Sequence, residues 1–250
     1  MMSDNPRCLY DNSFAGFLAE TGMSILGKLV DHYHGEARTT TIEAWKGEIS
    51  IMQDALSRLG ESDGRIIFEY DIPRLGKRID VVLLFKGIVF CLEFKVGETR
   101  ILEADVDQVL DYALDLKNFH KFSQEKVIVP ILIATKYSDA SSVIQMSVYD
   151  DRVVNPLVTG KEHLYELIAA VSKRFPDEMP VDHNWIISPY APTPTIIEAA
   201  RSLYENHSVV RLTKLASSTQ SPSCSQLLKF TFIFILREKK KKKNLTFRRD

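Results

Sequence analysis

Two acidic residues and a lysine on neighbouring segments of the chain could together cleave a phosphodiester bond. They are Asp80, Glu93 and Lys95. Lys86-Gly87 separates two runs rich in Val, Leu, Ile and Phe, a pattern that predicts a hairpin with a tight turn. In that hairpin Asp80 lies directly opposite Glu93, with Cβ atoms about 5 Å apart. Lys95 comes two residues after Glu93 and therefore projects from the same face.

Two carboxylates this close repel each other unless something neutralises them. Like charges in a partly desolvated position cost several kcal/mol unless they bind a cation. Hard oxygen ligands without Cys or His favour Mg²⁺ or Mn²⁺, and the backbone carbonyl of Phe94 is a candidate additional ligand. Lys95 would orient or deprotonate the attacking water, or offset charge on the phosphate in the transition state.

The same hairpin register places Arg78 opposite Lys95. Two neighbouring cations suit a bound phosphate, so Arg78 is a candidate substrate-binding residue. A salt bridge from Arg78 to Glu69 is an alternative. The broader alternative is an edge hairpin in which Asp80, Glu93 and their charged neighbours face water.

The surrounding sequence predicts the elements that would carry this hairpin. Apolar residues at helical spacing indicate helices from Ile42 to Leu59 and from Glu103 to Phe119. Short apolar runs indicate strands at Arg65 to Tyr70, Lys77 to Phe85, Ile88 to Lys95, Val127 to Ala134 and Val153 to Val158, with a helix from about Lys161 to Phe175 after them. We therefore expect an α/β fold with a mixed central β-sheet and helices on both sides.

The bulk properties of the chain limit its class. With 250 residues and 45% hydrophobic content, the chain can bury a core. The formal net charge of −1 gives no whole-chain reason to expect nucleic acid, so such binding would need a local patch. Three cysteines without CxxC spacing favour a reducing, cytoplasmic setting over disulfides or zinc. The longest apolar stretch, Phe230 to Leu236, is far shorter than the roughly 20 residues that span a bilayer, so we expect no membrane association.

Three motifs resemble the RecB-type branch of the PD-(D/E)XK nuclease superfamily. That branch has an Asp, an ExK and a downstream QxxxY helix. All three are present here in order, in Ile79 to Leu84, Cys91 to Lys95 and Gln108 to Tyr112. The resemblance implies a restriction-endonuclease-like core whose Asp and ExK residues are catalytic and whose two acids bind the metal.

The resemblance also implies a wider site. Gln108 and Tyr112 are four residues apart, so one helix presents both on the same face. In RecB-type nucleases that pair faces the active site, which implies that it positions the substrate backbone or the metal shell. Glu48 matches the position of an additional acidic ligand in such nucleases; the alternative is a solvated acid, like Glu43 on the same helix.

A longer stretch, from Ser13 to Val210, resembles the N-terminal nuclease-like region of bacterial proteins that end in a Schlafen-group-3-like (DUF2075) helicase or ATPase domain. The chain contains no GxxxxGK[ST] P-loop, so nucleotide hydrolysis does not carry over. We expect an N-terminal helical segment over 1–40 and a nuclease-like core over 41–175. A linker and helix toward an absent ATPase domain would follow over 176–212, and a divergent, disordered basic tail over 213–250.

The sequence therefore predicts a metal-dependent nuclease that hydrolyses phosphodiester bonds in DNA, with DNA favoured over RNA. By resemblance its context is a helicase- or ATPase-linked protein of DNA processing or defence. The alternative is a catalytically inactive module that binds nucleic acid or an ATPase partner.

Overall fold

The computed structural model describes residues 7–33, 35, 37–61, 63–137, 146–176, 178–194 and 196–197. Its strands are β1 (Tyr10–Ser13), β2 (Arg65–Ile72), β3 (Lys77–Phe85), β4 (Ile88–Lys95), β5 (Ile128–Ala134) and β6 (Leu157–Thr159). Its α-helices are α1 (Phe14–Ala19), α2 (Gly22–His32), α3 (Thr39–Leu59), α4 (Glu103–Phe119) and α5 (Leu164–Arg174). Short 3₁₀ turns occupy Lys121–Ser123, Lys161–His163 and Trp185–Ile187.

The strands form one six-stranded mixed sheet in the order β1-β2-β3-β4-β5-β6. The first four strands pair antiparallel, and β4, β5 and β6 pair parallel, with α4 connecting β4 to β5. The predicted hairpin register is confirmed from Phe85–Ile88, around a turn at Lys86 and Gly87, as far as Val81–Leu92. Both turn residues have positive φ, of 48° and 78°, as a two-residue turn of this kind requires.

Helices cover both faces of the sheet. A continuous apolar core joins α3 and α5 to one face, with Trp45, Ile49 and Met52 of α3 packed near strand residues such as Phe68 and Val81. No residue of α4 belongs to that core, although α4 is itself largely buried and packs on β4 and β5. We conclude that α4 covers the opposite face, and the expected α/β class with a flanked mixed sheet is confirmed.

Two parts of the sheet differ from the sequence prediction. The short strand β1 was not predicted, because its residues lie in a segment expected to be helical. The last strand begins at Leu157 rather than Val153, and Val153 and Val154 form isolated bridges instead. Pro156 lacks an N–H for a ladder and separates the two parts.

The chain divides into two compact units. The contacts of the chain divide at Tyr190, and the first unit, Met1–Tyr190, contains the predicted helical segment, the predicted core and the beginning of the predicted linker. The second unit, Ala191–Asp250, includes the predicted tail, which lies outside the described residues. Within the described part of the chain, no helix is both long and apolar enough to cross a membrane.

Candidate functional site

The regular sheet is interrupted where β2 and β3 carry acidic residues. Glu69 and Asp80 stand opposite each other, yet the β2–β3 ladder continues on both sides of them without pairing these two. The β3–β4 ladder also ends just before Asp80, at Val81–Leu92. Glu69 has a φ of 55°, in the left-handed region that non-glycine residues rarely adopt. The sheet therefore opens locally at Asp80.

The interruption changes which face the side chains occupy. Strict alternation would put Phe68 and Tyr70 on the same face of β2. Instead Phe68 lies in the core with α3, while Tyr70 packs against Trp185 and His120. This shift in phase occurs at Glu69, between the two aromatic residues. The polar side chains of Glu69 and Asp80 therefore lie at the point where the side chains of β2 change from one face of the sheet to the other.

Asp80 uses this opening to reach β4. Its carboxylate Oδ2 accepts a hydrogen bond from the backbone N–H of Phe94 at 2.8 Å. Asp80 was predicted to be the ladder partner of Glu93, but the ladder ends one pair earlier, at Val81–Leu92. The N–H of Phe94 therefore bonds a side-chain oxygen of Asp80 instead of a backbone carbonyl of β3. The two acids nevertheless lie close enough for each to influence the other's pKa.

Glu93 and Lys95 form the polar centre of the site together with α4. Glu93 Oε1 accepts hydrogen bonds from Lys95 Nζ at 2.9 Å and from Gln108 Nε2 at 2.8 Å. Gln108 Nε2 also donates to the Tyr112 hydroxyl at 2.7 Å, and Lys95 Nζ lies 3.3 Å from Asp105 Oδ1. The predicted ExK and QxxxY residues are therefore in direct contact, through one shared carboxylate oxygen. Asp105 was not predicted as part of this group.

Glu48 approaches the site from α3. It is 4% exposed, so the alternative of a solvated acid is wrong. Its Oε2 atom has no hydrogen-bond partner, and the same is true of Oε2 of Glu93. These two buried oxygens, on different elements, are polar atoms that the described residues leave unsatisfied.

Arg78 does not pair with Lys95 as the hairpin register predicted. Its Cα partner is Asp71 in β2, because the β3–β4 ladder ends before it. The guanidinium instead forms a salt bridge with Glu69 at 3.3 Å, the alternative that the sequence left open, and lies 5.1 Å from the ring centre of Tyr33.

The electrostatics of the site favour bound protons in the absence of a cation. Burial, then the charges of Glu69 and Glu93, raises the pKa of Glu48 to about 8. Burial and the charge of Glu93 raise the pKa of Asp80 well above its usual value. Burial also raises the pKa of Glu93, although Lys95 opposes the shift. These acids are therefore poorly compensated by the protein itself.

For Lys95, the charges nearby outweigh burial in setting its pKa. Burial disfavours its ammonium form, but the hydrogen bonds and charges of Glu93 and Asp105 outweigh burial and raise its pKa. At neutral pH Lys95 is therefore protonated. Burial and the charge of Glu93 likewise raise the pKa of Tyr112, so its hydroxyl stays neutral.

The donor set fits a hard divalent cation, although the side chains do not form a ready-made metal cluster. No three Asp, Glu, His or Cys side chains within the described residues stand together as a metal-binding group. However, Glu48 and Glu93 each offer one unsatisfied buried oxygen, and Asp80 lies close enough for the charges of both to raise its pKa. Carboxylate oxygens without sulfur or imidazole are the ligands that Mg²⁺ and Mn²⁺ prefer. Phe94 remains a predicted ligand through its carbonyl.

A cavity of about 1080 Å³ lies elsewhere, at the turn end of the β3–β4 hairpin. Its lining includes Lys86, Gly87 and Glu178 and none of the predicted site residues. The predicted site is instead a polar cluster at the interrupted end of the same hairpin.

Comparisons of this chain with protein-family models, with curated proteins and with solved structures found no match.

Proposed function

We propose that this chain is a metal-dependent nuclease that hydrolyses phosphodiester bonds in DNA, built on a restriction-endonuclease-like core. One observation carries the proposal: at the break in the sheet Asp80 bonds the N–H of Phe94 between the paired Glu93 and Lys95, and the charge of Glu93 reaches the buried Glu48, whose Oε2 atom is unsatisfied. Such a group of acids beside an ammonium is costly for folding and suited to a cation and a phosphate.

Asp80, Glu93 and Glu48 would hold Mg²⁺ or Mn²⁺, with the carbonyl of Phe94 as an additional ligand. When bound, the ion polarises a phosphoryl oxygen and lowers the pKa of a water molecule. The unsatisfied Oε2 atoms of Glu48 and Glu93 are the support for these assignments.

Lys95 acts as a fixed positive charge rather than as a base. Because Glu93 and Asp105 raise its pKa, the side chain keeps its proton at neutral pH and cannot readily accept another from water. Its ammonium can stabilise negative charge that develops on the phosphate in the transition state. Of the roles predicted for Lys95, charge stabilisation is therefore the one we retain.

Gln108 and Tyr112 orient the acid. The Gln108 amide donates to Oε1 of Glu93, which leaves Oε2 of that residue for a ligand. The Tyr112 hydroxyl accepts from the same amide and fixes its direction. The two residues act first on Glu93 and, through it, on the metal shell.

DNA as the substrate, and a helicase or ATPase domain as a partner, rest on the family resemblance of the motifs. The near-neutral net charge gives no whole-chain reason to expect DNA.

The test is cleavage of labelled single- and double-stranded DNA and RNA by the purified chain with Mg²⁺, Mn²⁺ or EDTA. We expect divalent-dependent DNA cleavage that Glu93→Gln abolishes and that Lys95→Met slows by about 10²–10³-fold. Glu43→Gln is the matched control, since Glu43 shares α3 with Glu48 but pairs with Lys46 in solvent. It should retain full activity.

Cleavage that survives EDTA, or full activity in Glu93→Gln, would contradict the proposal. Salt-dependent DNA binding without cleavage under any condition would instead support a catalytically inactive nucleic-acid-binding module.

A further inference from the structure

Glu69 joins two elements that carry acids of the candidate site. Its Oε1 atom accepts a hydrogen bond from Trp45 Nε1 of α3 at 2.8 Å. Its Oε2 atom forms the salt bridge with Arg78 of β3 at 3.3 Å. The side chain of Glu69 is 14% exposed, so both contacts are largely sheltered from water. One carboxylate thus holds α3 and β3 together, with one oxygen for each element.

Both partners of Glu69 stand next to a candidate metal ligand. Trp45 precedes Glu48 by three residues, about one helical turn, so the two lie on the same side of α3. Arg78 precedes Asp80 by two residues in β3. Because Glu48 and Asp80 belong to different elements, their separation depends on contacts of this kind.

The backbone of Glu69 is unusual in a way that supports a functional role. Its φ of 55° lies inside β2, where a non-glycine residue is strained and persists only when its surroundings hold it. This conformation coincides with the interruption of the sheet that frees Asp80 to bond the N–H of Phe94. A regular β2 would restore pairing at this point and remove the opening.

We propose that Glu69 is a positioning residue that sets the distance between Glu48 and Asp80 and so shapes the cation site without binding the cation itself. This inference rests on the proposed function, which supplies the reaction. Its two oxygens are already occupied by Trp45 and Arg78, which is why we assign it to positioning rather than to the metal.

Two substitutions distinguish the contribution of the Glu69 side chain from that of its backbone conformation. Glu69→Gln keeps an acceptor for Trp45 but loses the charge that pairs with Arg78. Glu69→Gly removes the side chain and relieves the left-handed strain. Asp11→Asn is the matched control, because Asp11 forms a partly buried ion pair with Arg65 in the same sheet but has no contact with the site.

We expect both Glu69 variants to lower kcat for DNA cleavage by about 10–100-fold, with Glu69→Gly the more severe, while KM for DNA changes little. The affinity for Mn²⁺, measured by calorimetry, should fall by a similar factor. Asp11→Asn should leave kcat and Mn²⁺ affinity unchanged, whatever it does to stability. A purely structural role would change the melting temperature of folded protein without this split between kcat and KM.

Wild-type kcat and Mn²⁺ affinity in Glu69→Gln and Glu69→Gly would overturn the inference and leave the proposed function intact. An equal loss in Asp11→Asn would also overturn it. If the wild-type chain binds Mn²⁺ but does not cleave, the proposed nuclease activity fails and the Mn²⁺ affinities alone decide the role of Glu69. If it binds no Mn²⁺, both fail.

Discussion

Two buried carboxylates on opposite sides of the sheet are treated differently by the fold. Asp115 of α4 accepts a hydrogen bond from Arg74 Nε at 2.9 Å, and the guanidinium of Arg74 lies 3.7 Å from the ring centre of Phe119. Burial raises the pKa of Asp115, while the charge and the hydrogen bond of Arg74 oppose the shift. Within the described part of the chain, Oδ1 of Asp115, like Oε2 of Glu48, has no hydrogen-bond partner, so the two acids differ in their counter-charge. Glu48 of α3 is about as buried, yet its charged neighbours are other acids.

The difference indicates that the two acids have different roles. An uncompensated charge in the interior costs several kcal/mol, and at Asp115 the protein supplies the compensating cation itself. The buried polar groups of His120 are also satisfied by the protein, since Ser123 and the backbone carbonyl of Trp185 bond its two ring nitrogens. No comparable cation compensates Glu48 among the described residues, and the divalent ion that we propose would supply that charge.

The largest effect we expect comes from removing Arg74, the cation that pairs with Asp115. Arg74→Met leaves Asp115 buried without its counter-charge and should lower the free energy of unfolding by about 3–5 kcal/mol. Chemical denaturation followed by circular dichroism measures this loss. The double variant Arg74→Met with Asp115→Asn is the control, and it should recover much of the stability because no isolated charge remains.

A loss below about 1 kcal/mol in Arg74→Met would place this pair with ordinary surface ion pairs and break the comparison. The exposed pair of Lys46 and Glu43 is expected to contribute that little in the same protein, so Lys46→Met provides the reference for a surface effect.

Glu48→Gln should act in the opposite direction. In chelator the folded state of the wild type must either hold a proton on Glu48 or bury its charge, whereas glutamine does neither. We expect the substitution to raise the free energy of unfolding by a few kcal/mol near pH 8, and by little near pH 5.

The sign follows from the raised pKa of Glu48. Its folded-state value of about 8 lies above the ordinary value of 4.5, so the native state binds a proton that the unfolded chain releases. The resulting stability is fully present below about 4.5 and is lost as the pH rises toward about 8. Denaturation across this range in EDTA is the measurement. An identical pH slope in the wild type and in Glu48→Gln would contradict the raised pKa.

The hairpin itself was predictable because its determinants are local. Lys86-Gly87 dictates the turn, the turn fixes the register, and the apolar alternation fixes the faces near it. The helix that carries Gln108 and Tyr112 was equally readable from its apolar spacing, and the structure has it over Glu103–Phe119 as predicted. Those local rules predicted that Glu93 and Lys95 share a face, whereas the position of Gln108 beside them was implied by the family resemblance.

The interruption at Glu69 was not predictable in the same way. A left-handed glutamate inside a strand has no local signal, since it depends on Trp45 and Arg78, which reach it from other elements. The burial of Glu48 is likewise a property of packing, because the sequence cannot distinguish it from the exposed Glu43 on the same helix. The register rule therefore failed at Asp80, where tertiary contacts outweigh it.

The smallest expected effect distinguishes the two carboxylates by their response to a cation. Mg²⁺ at about 100 times its Kd should stabilise the wild type by about 2.7 kcal/mol, because an ion that binds the folded state alone shifts the equilibrium by mass action. Glu48→Gln and Glu93→Gln should lose most of this gain, since each removes an unsatisfied oxygen of the site. Arg74→Met should keep it, because Asp115 belongs to a separate pair. Thermal denaturation over a Mg²⁺ titration, with Ca²⁺ and Na⁺ at matched ionic strength, measures the difference. If Arg74→Met gained stability from Mg²⁺ that the wild type did not, the ion would be filling the position of Arg74, and Asp115 rather than Glu48 would be the acid that recruits it.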